Sequence, residues 1–317
     1  MAVLPFIESL SRIFSFSTVT ASQIIVQHLT LWIGFVGAII AARENKLLSL
    51  TKSSIFNKEE RIDFLTLIPK LLTFLVLIGL FYGSWELLKI EYEFPIDIAP
   101  GVPRWFAQIV MPFGFLLMAI NILVNSYKNI FYQLIFITFL VLILFTPIIE
   151  YLSNILPVLL ITFLIIIFSL IKGAPIVVGL GGLSIVLFWL DFTSIAAIPT
   201  EAYRIVVSPT LPTIPLFTLA GYILAESRAS ERLVFVFREV FGWIPGGTPV
   251  VIILLCGFFT ALTGGSGVTI LALGGLLLPL LIKEGYTKSF SIGLITVSGS
   301  LGLLFPPSLP VIIYGVT

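Results

Sequence analysis

The chain has 317 residues, 58% of them hydrophobic and 10% charged, with a formal net charge of +1 and a mean hydropathy of +1.16. A soluble domain of this size needs far more charge to cover its surface, so lipid must solvate most of the chain. The balance of charge excludes a broad basic face for nucleic acid, one cysteine excludes an internal disulfide framework, and one histidine excludes a histidine-cluster metal site.

The opening MAVLPFIESLSRIF is apolar but short for a span. Apolar runs of roughly 17–25 residues can cross a bilayer as helices. Spans are expected near 22–42, 63–88, 103–126, 129–149, 153–171, 174–190 and 212–226. Two short runs follow, 248–262 and 268–282, then a last run from 289. The loop at 42–62 carries Arg43, Lys46, Lys52, Lys58 and Arg61, which makes it cytoplasmic by the positive-inside rule. Alternation then puts 89–104, Glu150 and Arg204 outside, with Lys128, Lys172, Arg228, Arg232 and Arg238 inside. Lys283 and Lys288 also fall inside, but only if 248–282 enters and leaves on one side. Glu86 reads as an interface residue, and His28, beside Trp32 on a helix, as a packing contact.

The stretch ESRASERLVFVFREVFGW (Glu226 to Trp243) gathers its charges on one helical face, so it is expected to lie along the cytoplasmic interface. In TPVVIILLCGFFTALTGGSGVTILALGGLLLPLLIKEGY (Thr248 to Tyr286), each apolar half has about 15 residues, short for a span. Gly264, Gly265, Ser266 and Gly267 separate the halves. Glycine accepts the positive φ of a tight reversal, so a re-entrant helical hairpin is expected, its tip inside the membrane. In GSLGLLFPPSLPVIIYG (Gly299 to Gly315), Pro306 and Pro307 donate no backbone hydrogen bond, so the helix from about 289 must end or unwind near Leu304. Carbonyls freed at membrane depth suit Na⁺, and half-helix N-termini suit an anionic substrate. Ser308, Ser300, Ser298, Ser266, Thr269 and Thr263 add hydroxyls.

Several ordered motifs resemble the large membrane subunit of tripartite ATP-independent periplasmic (TRAP) transporters. Pro215, Leu216, Phe217, Ala220 and Gly221 match its first motif, and Gly246 and Gly247 a following turn. Pro279, Lys283, Gly285 and Tyr286 match the end of the hairpin. Gly299, Ser300, Gly302, Pro306, Pro307, Ser308, Pro310, Tyr314 and Gly315 match the last. The tip departs from the family pattern: Val268 and Thr269 follow it in place of alanines. Residues Val26–Leu50 and Val102–Leu123 resemble the small membrane subunit of the same transporters.

The resemblance implies a fused arrangement: a small-subunit-like region over 1–128, a connecting helix over 129–152, and the N-terminal half of a large permease subunit over 153–317. The expected fold is an all-α membrane protein, a multi-span bundle with a re-entrant hairpin and the first inverted repeat of an elevator-type transporter. The static and moving parts are expected to divide near residue 245. The implied function is Na⁺-coupled uptake of an organic anion in the bacterial inner membrane, fed by a periplasmic binding protein, with Na⁺ as coupling ion and no other cofactor. The substrate would meet Ser266, Thr269 and Ser308. Na⁺ would meet Gly265, Ser266, Gly299, Ser300, Gly302, Pro306 and Ser308. Other expected partners are membrane lipids and the remaining half of the large subunit. The alternative is an incomplete, non-transporting part of such a transporter. An enzyme would need paired acids or an activated nucleophile, and the acids lie mostly in loops.

Overall fold

The computed structural model describes residues 1–14, 21–50, 64–126 and 156–316, except 228, 242, 244–246, 264 and 307. The span expected at 129–149 and much of the loop at 42–62 lie outside the described residues. The chain forms two compact units, Val3–Val207 and Ser208–Thr317. The second unit begins ahead of the hairpin because the helices Thr213–Glu226 and Ala229–Phe241 pack within it.

The first unit contains α1 (Val3–Ile13), α2 (Ser22–Arg43), α3 (Phe64–Glu93), α4 (Arg104–Gln108), α5 (Val110–Ser126), α6 (Leu156–Ile171), α7 (Ile176–Leu190) and α8 (Ala197–Val206). Among the described residues, three stretches are long and apolar enough to cross a membrane: Ser22–Arg43, Ile68–Glu93 and Arg104–Val124. Helices α2, α3 and α5 share a core of Ala42, Phe74, Leu77, Met118 and Ala119. Helix α7 packs Val178 against Val76 and Leu80 of α3. Close approach there favours glycine: a Cβ at Gly181 would lie 3.1 Å from the Val76 side chain. One feature departs from an all-helical reading. Asp97–Ala99 (β1) and Val102–Pro103 (β2) form a small antiparallel hairpin. Its Pro100-Gly101 centre, with Gly101 at φ +77, has the sequence of a type II turn.

Loops assigned to one side by their charges do meet. The segment after α2 reaches the α6–α7 turn, where the Ile176 amide donates to Leu48 O at 2.8 Å. At the other end of the unit, Arg104 pairs with Glu91 at 3.1 Å and Ser194 donates to the half-buried Glu86 at 3.3 Å. His28 is buried between α2 and α8. Its Nδ1 lies 2.7 Å from Ile24 O and its Nε2 2.7 Å from the Tyr203 hydroxyl. A carbonyl only accepts, so Nδ1 carries the proton and Tyr203 donates to Nε2. Tyr203→Phe should therefore leave a buried imidazole nitrogen unpaired and cost about 1–3 kcal/mol. Thermal unfolding of the single variant and of His28→Phe/Tyr203→Phe checks this: the second change should cost less in that background than alone.

The second unit contains α9 (Thr213–Glu226), α10 (Ala229–Phe241), α11 (Gly247–Thr263), α12 (Ser266–Lys283), α13 (Lys288–Leu301), a 3₁₀ turn (Gly302–Leu304) and α14 (Leu309–Val316). Its core comes from α11, α12 and α13, with Val234 and Phe237 of α10 packed against it. The amphipathic α10 thus has two apolar sides, because Phe235, Val236 and Val240 remain exposed.

Candidate functional site: a hairpin tip against a broken helix

The reversal between α11 and α12 follows from one bond. Thr260 donates to the Thr269 hydroxyl at 2.7 Å. In a continuous helix, nine residues would separate them by about 13 Å, so the chain must turn back between them. The buried positions repeat on both sides of the tip. Ile252, Cys256 and Thr260 lie four apart on α11, and Thr269, Leu273 and Leu277 four apart on α12; all six are fully buried. Spacing by four keeps side chains on one helical face, and the two faces close on each other with the hydroxyls nearest the tip. The helices have 17 and 18 residues, a little longer than expected.

The tip itself corrects one expectation. Gly265 is extended, at φ −142 and ψ 117, and Gly267 lies inside α12 without a positive φ. The described tip glycines therefore do not supply a left-handed turn; Gly264 and the Thr263 side chain lie outside the described residues. Further along, Gly285 does carry that conformation, at φ +91. Its amide donates to Ile282 O at 3.0 Å and that of Tyr286 to Leu281 O at 3.1 Å. This is the Schellman arrangement, so Lys283, Gly285 and Tyr286 of the motif form a helix stop. Thr287 then caps α13 by accepting from the Phe290 amide at 3.4 Å.

The helix break falls where the prolines require it. α13 ends at Leu301, tightens into the 3₁₀ turn, and leaves helical geometry at Phe305, with φ −101 and ψ 136. A residue before proline is sterically pushed to extended geometry, and Pro306 follows Phe305. Ser308 then holds the break together. Its amide donates to Phe305 O at 2.9 Å and its hydroxyl to Leu303 O at 2.6 Å. The Phe305 amide donates to Gly302 O at 3.3 Å. These carbonyls are therefore not bare, as freed carbonyls were expected to be. Each keeps a second lone pair.

The break and the tip are packed together. A Cβ built on Gly302 would lie 2.5 Å from both Gly257 O and the Thr260 Cβ. One on Gly299 would lie 3.3 Å from Ile270 and 3.6 Å from Ser266 O. So Ser266, Thr269, Gly299 and Gly302 are brought together, with Gly265 at the start of α12. Gly265 O accepts from the Thr269 hydroxyl at 3.4 Å. Ser308 is fully buried at the break. Ser300 is exposed and its hydroxyl donates to Thr296 O at 3.2 Å, turning back on its own helix. Pro306 is exposed. Thr260 was missed by the sequence reading, although its place in the 252–256–260 stripe could have revealed it. No charged residue occurs from Val240 to Ile282 or from Ser289 to Thr317. The arrangement therefore offers neutral carbonyl and hydroxyl oxygens, plus the positive dipole end of α12 at Ser266.

Two family profiles match the chain. That of the tripartite ATP-independent periplasmic transporters, DctQ component, covers residues 1–132, and that of the DctM component covers 136–317. The isethionate TRAP transporter permease protein DctMQ of Oleidesulfovibrio alaskensis is 29% identical over 250 residues, 74% of this chain and 38% of that protein. The C4-dicarboxylate TRAP transporter large permease protein DctM of Vibrio cholerae is 32% identical over 154 residues, 48% of this chain and 34% of that protein. The ectoine TRAP transporter large permease protein TeaC of Halomonas elongata is 32% identical over 150 residues, 46% of this chain and 35% of that protein. The chain spans little more than a third of the length of these relatives.

Proposed function

The chain belongs to the tripartite ATP-independent periplasmic transporter family, with small- and large-subunit segments fused in one polypeptide, and on that premise we propose that it serves Na⁺-driven uptake of a small organic anion. A periplasmic binding protein would deliver the substrate to the bacterial inner membrane. The observation that carries this reading is the docking of the helix break on the hairpin at Gly302, Gly257 and Thr260.

Na⁺ is a hard cation that takes neutral oxygens well, and broken membrane helices supply them. The carbonyls of Gly265, Gly299 and Gly302 and the hydroxyls of Ser266 and Ser308 would provide ligands. Ser300 and Pro306 contribute through the backbone only. The anion would lie at the N-terminal end of α12, near Ser266, Thr269 and Ser308, where amides and helix dipole favour negative charge. Relatives named for isethionate and C4-dicarboxylates support an anion as substrate class. In an elevator-type cycle, the hairpin and broken helix would carry the cargo and the long spans would stand as scaffold. The remaining half of the large subunit would complete the site. Because the chain spans about a third of its relatives, the second reading is a non-transporting part of such a transporter.

The test is reconstitution of the chain in proteoliposomes with the binding protein loaded with isethionate or a C4-dicarboxylate. Uptake should require an inward Na⁺ gradient and vanish when K⁺ replaces Na⁺. Uptake indifferent to Na⁺ would overturn the coupling. No uptake by this chain, with uptake by the transporter that contains the rest of the large subunit, would favour the second reading.

A further inference from the structure

The first unit holds a cavity of about 560 Å³ at the end where α2, α3, β1, α4 and α8 meet. It is built from both family segments, since α8 lies in the large-subunit match and the other elements in the small-subunit match. Its wall contains two acids, Glu91 and Asp97, and two bases, Arg104 and Arg204. The formal charges cancel, but both signs face one space.

Polar demand in this wall is unmet. Gln108 is 1% exposed, and neither its Nε2 nor its Oε1 has a hydrogen-bond partner among the described residues. The Gln108 amide and the Tyr203 hydroxyl interact, though not at hydrogen-bond geometry, and burial pushes that phenol up to about 12. Glu91 gives Oε1 to Arg104, while its buried Oε2 has no partner among the described residues. A buried amide or carboxylate oxygen left in this state costs about 1–3 kcal/mol, so the cavity calls for an occupant. Glu91 Oε2 and Gln108 Oε1 need donors, and an oxyanion supplies none. Gln108 Nε2 needs an acceptor, and an ammonium supplies none; the Arg104 guanidinium, about a third exposed beside Glu91, can donate to the same acceptor.

We propose that this cavity binds a small zwitterion that joins a primary ammonium to an oxyanion. The ammonium lies toward Glu91 and Asp97, and the oxyanion toward Gln108 Nε2 and Arg104. A volume of 560 Å³ holds such a group, within the usual range of about 300–1,000 Å³ for ligand sites. The same chemistry exists as an aminophospholipid headgroup and as a free soluble zwitterion. This inference does not rest on the site at the hairpin tip.

The experiment uses the purified chain in phosphatidylglycerol nanodiscs, with thermal unfolding followed by tryptophan fluorescence. One arm titrates O-phosphoethanolamine, with phosphate and ethanolamine separately as controls. The other arm replaces part of the lipid with phosphatidylethanolamine. A saturable rise in Tm in the lipid arm alone identifies a headgroup site, and a rise in the soluble arm identifies a site for a free zwitterion. Either phosphate or ethanolamine alone should do little. Gln108→Leu removes the unmet amide at similar volume, so the unliganded protein should unfold at the same or a higher temperature. It should weaken the response at least about tenfold, the equivalent of about 1.4 kcal/mol. Asp97→Asn, at an exposed position, should weaken the ammonium half without unfolding the protein. No saturable shift in either arm, or an undiminished response in Gln108→Leu, would overturn the proposal and leave a water-filled cavity.

Discussion

Gly302→Ala should lower the unfolding temperature clearly, while Gly257→Ala should not. At Gly302 the new methyl would fall 2.5 Å from a backbone oxygen, Gly257 O, and 2.5 Å from the Thr260 Cβ. Neither atom is the free end of a flexible side chain, so α13 and α11 must move apart. Forced overpacking of this kind costs about 1–3 kcal/mol. The movement would also disturb Thr260, whose hydroxyl reaches across to Thr269 at 2.7 Å. At Gly257 a Cβ meets nothing within 4 Å, and alanine there should be neutral or gain up to about 1 kcal/mol of helix preference. Gly299→Ala is the intermediate case. Its nearest neighbour is the Ile270 side chain at 3.3 Å, which can yield. Thermal unfolding in detergent ranks the three. Equal stability of Gly302→Ala and Gly257→Ala would mean that the break does not dock on the hairpin.

Replacing both prolines, Pro306→Ala with Pro307→Ala, should abolish or greatly weaken Na⁺ dependence of uptake. Phe305 is extended because a proline follows it. With alanines, α13 could run on toward α14, and the carbonyls of the break would enter ordinary helical bonds. The apparent Na⁺ affinity should fall at least about tenfold, which is about 1.4 kcal/mol. Ser308→Ala should do less. It removes one bond, the hydroxyl to Leu303 O at 2.6 Å, worth about 0.5–1.5 kcal/mol. The geometry of the turn survives, since the Ser308 amide still donates to Phe305 O. Both variants are measured in proteoliposomes of the transporter containing the rest of the large subunit, with its binding protein, after folding has been verified by size exclusion. A double variant that folds and keeps its Na⁺ dependence would make the prolines packing features.

Much of this was legible because membrane chains obey few rules. A helix in lipid must satisfy its own backbone, so proline pairs and short apolar halves mark breaks without any knowledge of packing. The span at 22–42 became Ser22–Arg43 for that reason, while the one expected at 174–190 became a shorter apolar helix, Ile176–Leu190. Small elements escaped. The turn at Pro100-Gly101 and helix α8 sit in stretches too short and too polar to register as spans, and the partners of α8, on α2 and α3, lie far away in sequence.

Sequence by itself determined where the chain is apolar and where its helices must stop. Each depends on local composition or on a residue's own backbone limits, as with Phe305 before Pro306 or Gly285 after α12. Only the tertiary structure decided which oxygens meet. Thr260 and Thr269 are brought to 2.7 Å by the reversal between them, and Gly302 is pressed on Gly257 by the packing of α13. Ser300, one residue from Gly299, turns instead to Thr296 O. On a helix, neighbouring residues point about 100° apart, so membership of a motif does not fix the direction of a side chain. That direction is set by the packed face, which only the fold supplies.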